Sequence, residues 1–226
     1  MKNICLWSVI IFAAVSISFA QKSKDIVVSF QGGSAIPSTP MSFSQYWKMS
    51  YGGGGGVEIP VSASVTIGAN VDYYQFTMDD EGIRNSFATS YMRDIWAFND
   101  VSIKPTASNS SVMSIALNMR IESPDLKGAL RPYLIVGGGM LSYSFAEISL
   151  PVKSTIVING ESISMTSQQK IVGGDKTDPF FQLGLGINYY LTSSLGIFAE
   201  ARYSKKIVKG AGMTFVPLTA GVLFGM

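Results

Sequence analysis

Apolar and polar residues alternate with a period of two along most of this chain. The longest run extends over thirteen residues from Val61 to Tyr73, where every second side chain is apolar and the residues between are small or polar. Successive side chains of a β-strand point to opposite faces, so this period predicts strands rather than helices. Together with two less regular segments near the N-terminus, the pattern predicts eight strands, near residues 26–36, 46–59, 61–73, 113–121, 133–143, 181–189, 195–203 and 216–226.

The connections between these strands alternate in length. Short links are predicted at 58–61, 122–128 and 191–194, and longer ones at 37–45, 78–111, 148–178 and 204–211. Short turns at one end and long loops at the other are typical of barrels that span a membrane. The chain is therefore predicted to be all-β, an eight-stranded antiparallel up-and-down transmembrane β-barrel.

Two of the long connections carry local signals of their own. In 148–178, Asn159-Gly160 lies between two β-prone runs and predicts a hairpin with a type I′ turn. In 78–111, apolar residues recur every four positions and predict one short amphipathic helix. These apolar residues are Ile83, Phe87, Tyr91 and Ile95.

The first twenty residues are interpreted as a secretory signal peptide. Lys2 is followed by an apolar run, and Ser18 and Ala20 provide small residues before a cut ahead of Gln21. The alternative is an uncleaved N-terminal anchor helix. Residues 1–20 are thus predicted to be a signal peptide and residues 21–226 one barrel domain. Beyond Ala20 no apolar run is long enough for a membrane helix.

Composition narrows the chemistry. The chain is 47% hydrophobic and 14% charged, which excludes a disordered protein. It contains no histidine and one cysteine, Cys5, so imidazole catalysis, histidine metal sites and intrachain disulfides are excluded. Without the Lys2 segment, 16 basic residues face 15 acidic ones, which argues against a nucleic-acid partner. We expect no enzymatic activity, no cofactor and no metal.

Parity within the strands divides side chains into two sets. Charged residues on a lipid-facing side would be costly, so polar residues are assigned to the lumen. The predicted polar network of the lumen consists of Asp72, Asn118, Arg120, Gln182, Glu200 and Arg202. This network is expected to plug the barrel; the alternative is a gated narrow pore in which Glu200 exchanges partners.

Aromatic residues on the opposite set of faces are predicted to form girdles at the two membrane surfaces. Tyr133 and Tyr143 lie ten residues apart, which corresponds to roughly 25 Å along a tilted strand and matches the height of a lipid-facing band. The predicted girdle residues are Trp47, Tyr73, Tyr133, Tyr143, Phe181, Tyr189, Tyr203 and Phe224.

Two motifs resemble ligand-binding motifs, one for phosphate and one for calcium, but the surrounding residues do not fit either. The glycine run 52–56 lacks the Lys-Ser/Thr of a phosphate loop and is interpreted as a strand in which neighbours approach closely. The acidic run 79–81 lacks the ligand spacing of an EF-hand, so it is interpreted as a solvated loop, with a weak divalent-ion site as the alternative.

Several segments resemble the small eight-stranded outer-membrane barrels of the OmpA, OmpX and OmpW type, including the Bacteroidetes-type barrel domain. The resemblance covers most of 26–226. It is carried by Gly32–Pro37, Arg131-Pro132-Tyr133, Gly137–Gly139, Ala199–Tyr203 and the closing strand Pro217–Phe224. The closing strand resembles the assembly signal that these barrels present to the barrel assembly machinery, although the chain ends on Phe224-Gly225-Met226 rather than on Phe.

The resemblance implies a place in the outer membrane and leaves the activity open, because members serve as anchors, adhesins, narrow channels or lipid-modifying enzymes. We expect a non-enzymatic protein of the bacterial outer membrane that presents its long loops outside the cell. One alternative is a narrow channel for small or hydrophobic solutes. A further alternative is a soluble exported barrel of the lipocalin type that binds a ligand inside.

Overall fold

A closed barrel of eight antiparallel strands forms the body of the protein in the computed structural model, which describes residues 26–86, 100–123, 129–208 and 212–226. The predicted signal peptide lies outside these residues. The described strands, barrel and loop together, are β1 (Val27–Thr39), β2 (Ser50–Pro60), β3 (Val65–Phe76), β4 (Asp100–Ile103), β5 (Ser110–Glu122), β6 (Leu130–Phe145), β7 (Ile148–Ile158), β8 (Glu161–Ile171), β9 (Gly174–Tyr190), β10 (Leu195–Lys206) and β11 (Thr214–Gly225).

The barrel closes by pairing its first and last strands. β1 pairs with β11 from Val27 opposite Gly225 to Thr39 opposite Thr214, and each other barrel strand pairs with its neighbours along the chain. The order around the barrel is β1-β11-β10-β9-β6-β5-β3-β2. The predicted all-β fold with eight antiparallel barrel strands is confirmed. In the described part of the chain, no helix is both long enough and apolar enough to span a bilayer.

The first predicted turn is displaced. The alternation from Val61 suggested that a strand begins there, but β3 begins at Val65 and residues 61–64 form the turn. The Ser62 hydroxyl accepts hydrogen bonds from the backbone N–H of Ser64 at 3.3 Å and of Val65 at 3.1 Å. Such local bonds offer the backbone an alternative to the strand ladder, so two alternating positions lie outside the strand.

The four long connections leave the barrel at the same end, and three of them contain helices or strands among their described residues. A short helix α1 (Met41–Tyr46) follows β1, and residues 80–86 are helical. β4, β7 and β8 form a separate three-stranded antiparallel sheet. In the β7–β8 turn, Asn159 and Gly160 have φ values of 53° and 86°, so the predicted hairpin is confirmed. Ile83 lies in the helical segment, whereas the other three predicted helix residues lie outside the described residues.

The side-chain parity predicted for β6 is wrong. Tyr133, Ile135 and Leu141 are buried in the lumen, whereas Leu134 and Met140 are exposed on the outer face. From Tyr133 to Leu141 both faces of this strand carry only apolar residues or glycine, so a period of two could not tell inside from outside. The side chains of the neighbouring strands decide the orientation.

The outer surface of the barrel carries a continuous belt of exposed apolar residues. Exposed residues come from every barrel strand and include Phe30, Val57, Ile67, Val71, Ile115, Leu117, Leu134, Leu183, Leu185, Ile197 and Leu218. Soluble monomers rarely expose apolar patches larger than a few hundred Å². A barrel satisfies its backbone hydrogen bonds internally, which allows such a belt to face hydrocarbon.

Candidate functional site in the lumen and mouth of the barrel

The centre of the lumen holds a buried ion cluster. The Arg202 guanidinium lies 2.9 Å from an Asp72 carboxylate oxygen and 2.8 Å from a Glu200 oxygen, and all three side chains are at most 3% exposed. Arg202 and Glu200 come from β10 and Asp72 from β3, so the cluster crosses the interior rather than following one pair of strands. A single cation therefore serves two carboxylates.

A second cation lies nearby. Arg120 pairs with Glu58 at 2.8 Å, and its guanidinium lies 4.3 Å from the centre of the Tyr133 ring. The Tyr133 hydroxyl donates a hydrogen bond of 2.8 Å to Glu200, which connects this pair to the Arg202 cluster. Glu58, Asp72 and Glu200 thus form one connected network with Arg120 and Arg202 in the lumen.

Amide side chains extend the network across the lumen. Gln182 donates to Asn118, Asn118 donates to Asn70, and Asn70 donates to Asp72. Gln31 also donates to Asp72. An amide both donates and accepts, so such a chain can satisfy partners on several strands at once. All six residues predicted for the lumen lie there.

Sequence reasoning missed other members of this network. Glu58 shares the inward face of β2 with Gly54 and Gly56, and the parity of that strand was the signal that could have found it. Gln31, Asn70 and Thr219 were overlooked because neutral polar residues on a strand carry no strong signal by themselves. Tyr133 was placed on the wrong face of β6 and so was assigned to a girdle.

At the loop end the lumen is filled by a different kind of packing, which we call the mouth core. Its rings pack at short range: the centroids of Phe43 and Phe76 lie 5.2 Å apart, and those of Phe43 and Phe145 lie 5.4 Å apart. Its buried members are Ala35, Phe43, Trp47, Tyr74, Phe76, Ile83, Val112, Ala116, Leu141, Ile148, Leu150, Phe180, Met213 and Phe215.

Trp47 was predicted to be a girdle residue, and this prediction is wrong because the side chain is 5% exposed. Trp47 precedes β2, which begins at Ser50, so strand parity does not govern it. It forms an isolated bridge with Met78 and packs against Phe145 at a centroid distance of 6.0 Å. The indole therefore belongs to the mouth core rather than to the lipid-facing surface.

Tyr143 was also predicted to face lipid and instead lies inside the mouth. Its hydroxyl accepts a hydrogen bond of 2.7 Å from Lys206 and donates one of 3.1 Å to Asp178. Lys206 and Asp178 are paired at 2.7 Å. We call these three residues the mouth triad. They lie on the loop side of the outward aromatic residues Phe181 and Tyr203 and thus outside the membrane-spanning part of the strands.

Hydrogen bonding holds the Asp178–Lys206 pair of the mouth triad in its ionised form. The bonds from Lys206 and from the Tyr143 hydroxyl lower the pKa of Asp178 below its ordinary value. Burial alone would lower the pKa of Lys206, but the bonds to Asp178 and Tyr143 outweigh it and raise the pKa. Both groups therefore carry their charge at neutral pH.

A cavity of about 260 Å³ lies beside the mouth triad. α1 and the residues flanking it, the β6–β7 and β8–β9 connections, and the β10–β11 connection all contribute to its wall. Its lining consists of Pro40, Ser42, Phe43, Tyr46, Trp47, Tyr143, Phe145, Ala146, Ile148, Ile171, Val172, Gly173, Lys206 and Met213. A much smaller cavity of about 20 Å³ lies in the polar part of the lumen beside Arg120 and Asn118.

The remaining girdle residues point outward. Five predicted aromatic side chains are exposed on the barrel surface, and they are Tyr73, Phe181, Tyr189, Tyr203 and Phe224. Phe181 and Tyr203 lie at the loop end with ring centroids 6.3 Å apart, and Phe224 packs on Phe30 at 6.4 Å towards the turn end. Aromatic side chains therefore occupy both ends of the apolar belt.

Comparison with known proteins gives likenesses of architecture. No family model matches the sequence, and no curated protein matches it. Among solved structures, Neisserial surface protein A is 11% identical, with a TM-score of 0.48, 88% of this chain and 96% of that chain covered. A major outer membrane protein from Thermus thermophilus is 10% identical, with a TM-score of 0.45 and coverage of 89% and 99%.

The outer membrane protease OmpT from Escherichia coli is 11% identical, with a TM-score of 0.43 and coverage of 91% and 98%. All of these TM-scores lie below 0.5, so the architecture of this chain rests on its own strand pairing. By that pairing the chain is a closed eight-stranded antiparallel β-barrel with an apolar outer belt.

Proposed function

We propose that this chain is a non-enzymatic integral protein of the bacterial outer membrane, with a lumen closed to solutes and an ordered platform of loops displayed outside the cell. The observation that carries the proposal is the filled interior. A polar network occupies the centre of the lumen and the mouth core occupies its loop end. Together they leave little free path along the barrel axis.

The size of the residual space supports a closed lumen. The cavity in the polar layer measures about 20 Å³, room for about one water molecule. An eight-stranded barrel has an interior just wide enough for its own side chains. A conducting state would require Arg202 to separate from Asp72 and Glu200. Both carboxylates would then lie buried without a cation. A narrow channel for small solutes is therefore the less favoured function.

The loop end supports a display role. The β7–β8 hairpin projects from the barrel, and the side chains of β8 are exposed along nearly its whole length. The other end has short turns, such as residues 61–64 and 191–194. A rigid barrel that carries structured long loops at one end is suited to positioning a surface for an external partner.

Two partners follow from this proposal. The apolar belt contacts the lipid bilayer of the outer membrane. β11 closes the barrel by pairing with β1, and its outward residues Leu218, Val222 and Phe224 provide the apolar edge that the barrel assembly machinery would meet. A role in binding nucleic acid has no support in the near-neutral charge balance.

The experiment pairs conductance with surface labelling. Purified protein in planar bilayers is expected to give no discrete current steps, while a general porin in the same bilayers gives them. On intact cells, an antibody should reach a tag inserted between Asn159 and Gly160. It should not reach the same tag inserted after Ser193 in a short turn. Reproducible current steps, or the reverse pattern of labelling, would overturn the proposal.

A further inference from the structure

The mouth cavity has the form of a small-molecule site. We propose that it binds a small amphiphile whose apolar body, of one or two rings, lies among the aromatic side chains and whose single hydrogen-bond-accepting head contacts Lys206. This binding role is separate from display. It rests on the proposed closed lumen, because a ligand held above the mouth core is then retained rather than passed through the barrel.

The size of the cavity sets the size of the ligand. A cavity of about 150 Å³ lined by apolar side chains accepts benzene, and sites for drug-sized molecules begin at about 300 Å³. The mouth cavity, at about 260 Å³, lies between these values. It therefore suits a compact molecule larger than benzene and smaller than a typical drug.

The walls of the cavity determine the character of the ligand's body. Five aromatic side chains line it, and the rest of the wall is mostly apolar, with Ser42 and Lys206 as its other polar side chains. Flat rings gain most from offset or edge-to-face contact with other rings. The aromatic residues are Phe43, Tyr46, Trp47, Tyr143 and Phe145.

The polar end of the cavity determines the head group. An ammonium group carries three N–H donors. Among the described residues, Lys206 directs two of them to Asp178 and the Tyr143 hydroxyl. The third remains for a ligand acceptor. Asp178 already balances the positive charge, so a neutral carbonyl should be accepted about as well as a carboxylate.

The test uses benzamide and benzoate, which have the same shape and differ in charge. The protein is placed in lipid nanodiscs and carries the Trp96→Phe substitution. Trp47 is then the one tryptophan in residues 21–226, and its fluorescence reports binding. Both probes are expected to change Trp47 emission saturably, with affinities within about threefold of each other. A linear, unsaturable response to both probes would overturn the proposal.

Matched variants test the head-group contact. Lys206→Met should weaken both probes about tenfold, the loss of one hydrogen bond to a charged donor. Lys205→Met removes the neighbouring, exposed lysine and should leave both affinities unchanged. Asp178→Asn leaves Lys206 without its counter-ion and should favour benzoate over benzamide by about tenfold.

Two results would exclude the assignment even if the lumen proves closed. One is equal binding to the Lys206→Met and Lys205→Met proteins, each first shown to be folded by its gel mobility. The other is an unchanged ratio of benzoate to benzamide affinity in Asp178→Asn. A failure here leaves the conductance and labelling results untouched, so the two proposals can fail separately.

Discussion

Single residues in the membrane-spanning strands are sorted by charge. The carboxylates of Asp72 and Glu200 and the guanidinium groups of Arg120 and Arg202 all point into the lumen. Their neighbours on β10, Ala199 and Ile197, face outward. Because side chains alternate strictly, a slip of one residue would put Glu200 and Arg202 into hydrocarbon. Outward positions of β10 should therefore tolerate apolar substitutions and not charged ones.

Ala199 allows a direct test of this orientation. Ala199→Arg should lower the free energy of unfolding by roughly 2–4 kcal/mol, because a cation is placed near the middle of the lipid-facing surface. Ala199→Leu adds bulk without charge and should be nearly neutral. Reversible denaturant unfolding in lipid vesicles measures both. A harmless arginine at this position would mean that the assigned face of β10 is wrong.

Arg202 carries a second prediction at this scale. Arg202→Met should cost about 3–5 kcal/mol, because Asp72 and Glu200 are left buried without a cation. The triple variant Asp72→Asn, Glu200→Gln and Arg202→Met removes all three charges and should lose less than Arg202→Met alone. The same unfolding measurement applies. If the triple variant is the less stable of the two, the charges stabilise the barrel in a way that simple compensation does not explain.

Among the elements, β2 is distinguished by five consecutive glycines, residues 52–56. A Cβ atom built at Gly54 would lie 2.2 Å from the carbonyl oxygen of Val71 and from an Asp72 carboxylate oxygen, both on β3. At Gly32 of β1, the nearest atom to such a Cβ is 3.9 Å away. The glycine run therefore permits close approach of β2 and β3 rather than binding phosphate.

This contrast predicts different effects of one methyl group. Gly54→Ala should destabilise the barrel by about 1–3 kcal/mol, since backbone or Asp72 must move. Gly32→Ala faces open space on the outer surface and should change stability by less than about 0.5 kcal/mol. Unfolding of the two variants in vesicles gives the comparison. Equal effects would show that the approach of the strands is looser than the geometry indicates.

At the scale of the whole molecule, closure of the barrel is the property that matters. The pairing of β1 with β11 leaves no free edge around the barrel, and every barrel strand has two neighbours. A barrel whose backbone hydrogen bonds are all made internally is stable in detergent for the same reason that it is stable in lipid. The closed form should therefore persist in conditions that unfold an open sheet.

Gel mobility provides the measurement. In cold detergent the folded protein should migrate differently from the same protein after boiling. Deletion of residues 214–226 removes β11 and should abolish the difference, because β1 and β10 are left as edges. A full-length protein that remains soluble without detergent would contradict the membrane assignment and favour the soluble ligand-binding barrel.

The strand pattern by itself determined the number of barrel strands, their antiparallel order, the end at which the long connections lie and the Asn159-Gly160 hairpin. These features depend on a period of two and on local turn preferences, which neighbouring residues in the sequence control. Charged side chains also identified the lumen face of their strands, since a charge on the outer face would lie in hydrocarbon.

Only the tertiary structure decided which aromatic residues face lipid and which fill the lumen. Tyr133 lies inside because Glu200, on another strand, accepts a hydrogen bond from its hydroxyl. Trp47 lies inside because the connection after β1 folds over the barrel end and places its ring against Phe145 of β6. Tyr143 lies inside because β9 and β10 bring Asp178 and Lys206 to its hydroxyl. An aromatic ring suits a membrane surface and a packed interior equally well, so contacts between residues distant in sequence had to make that choice.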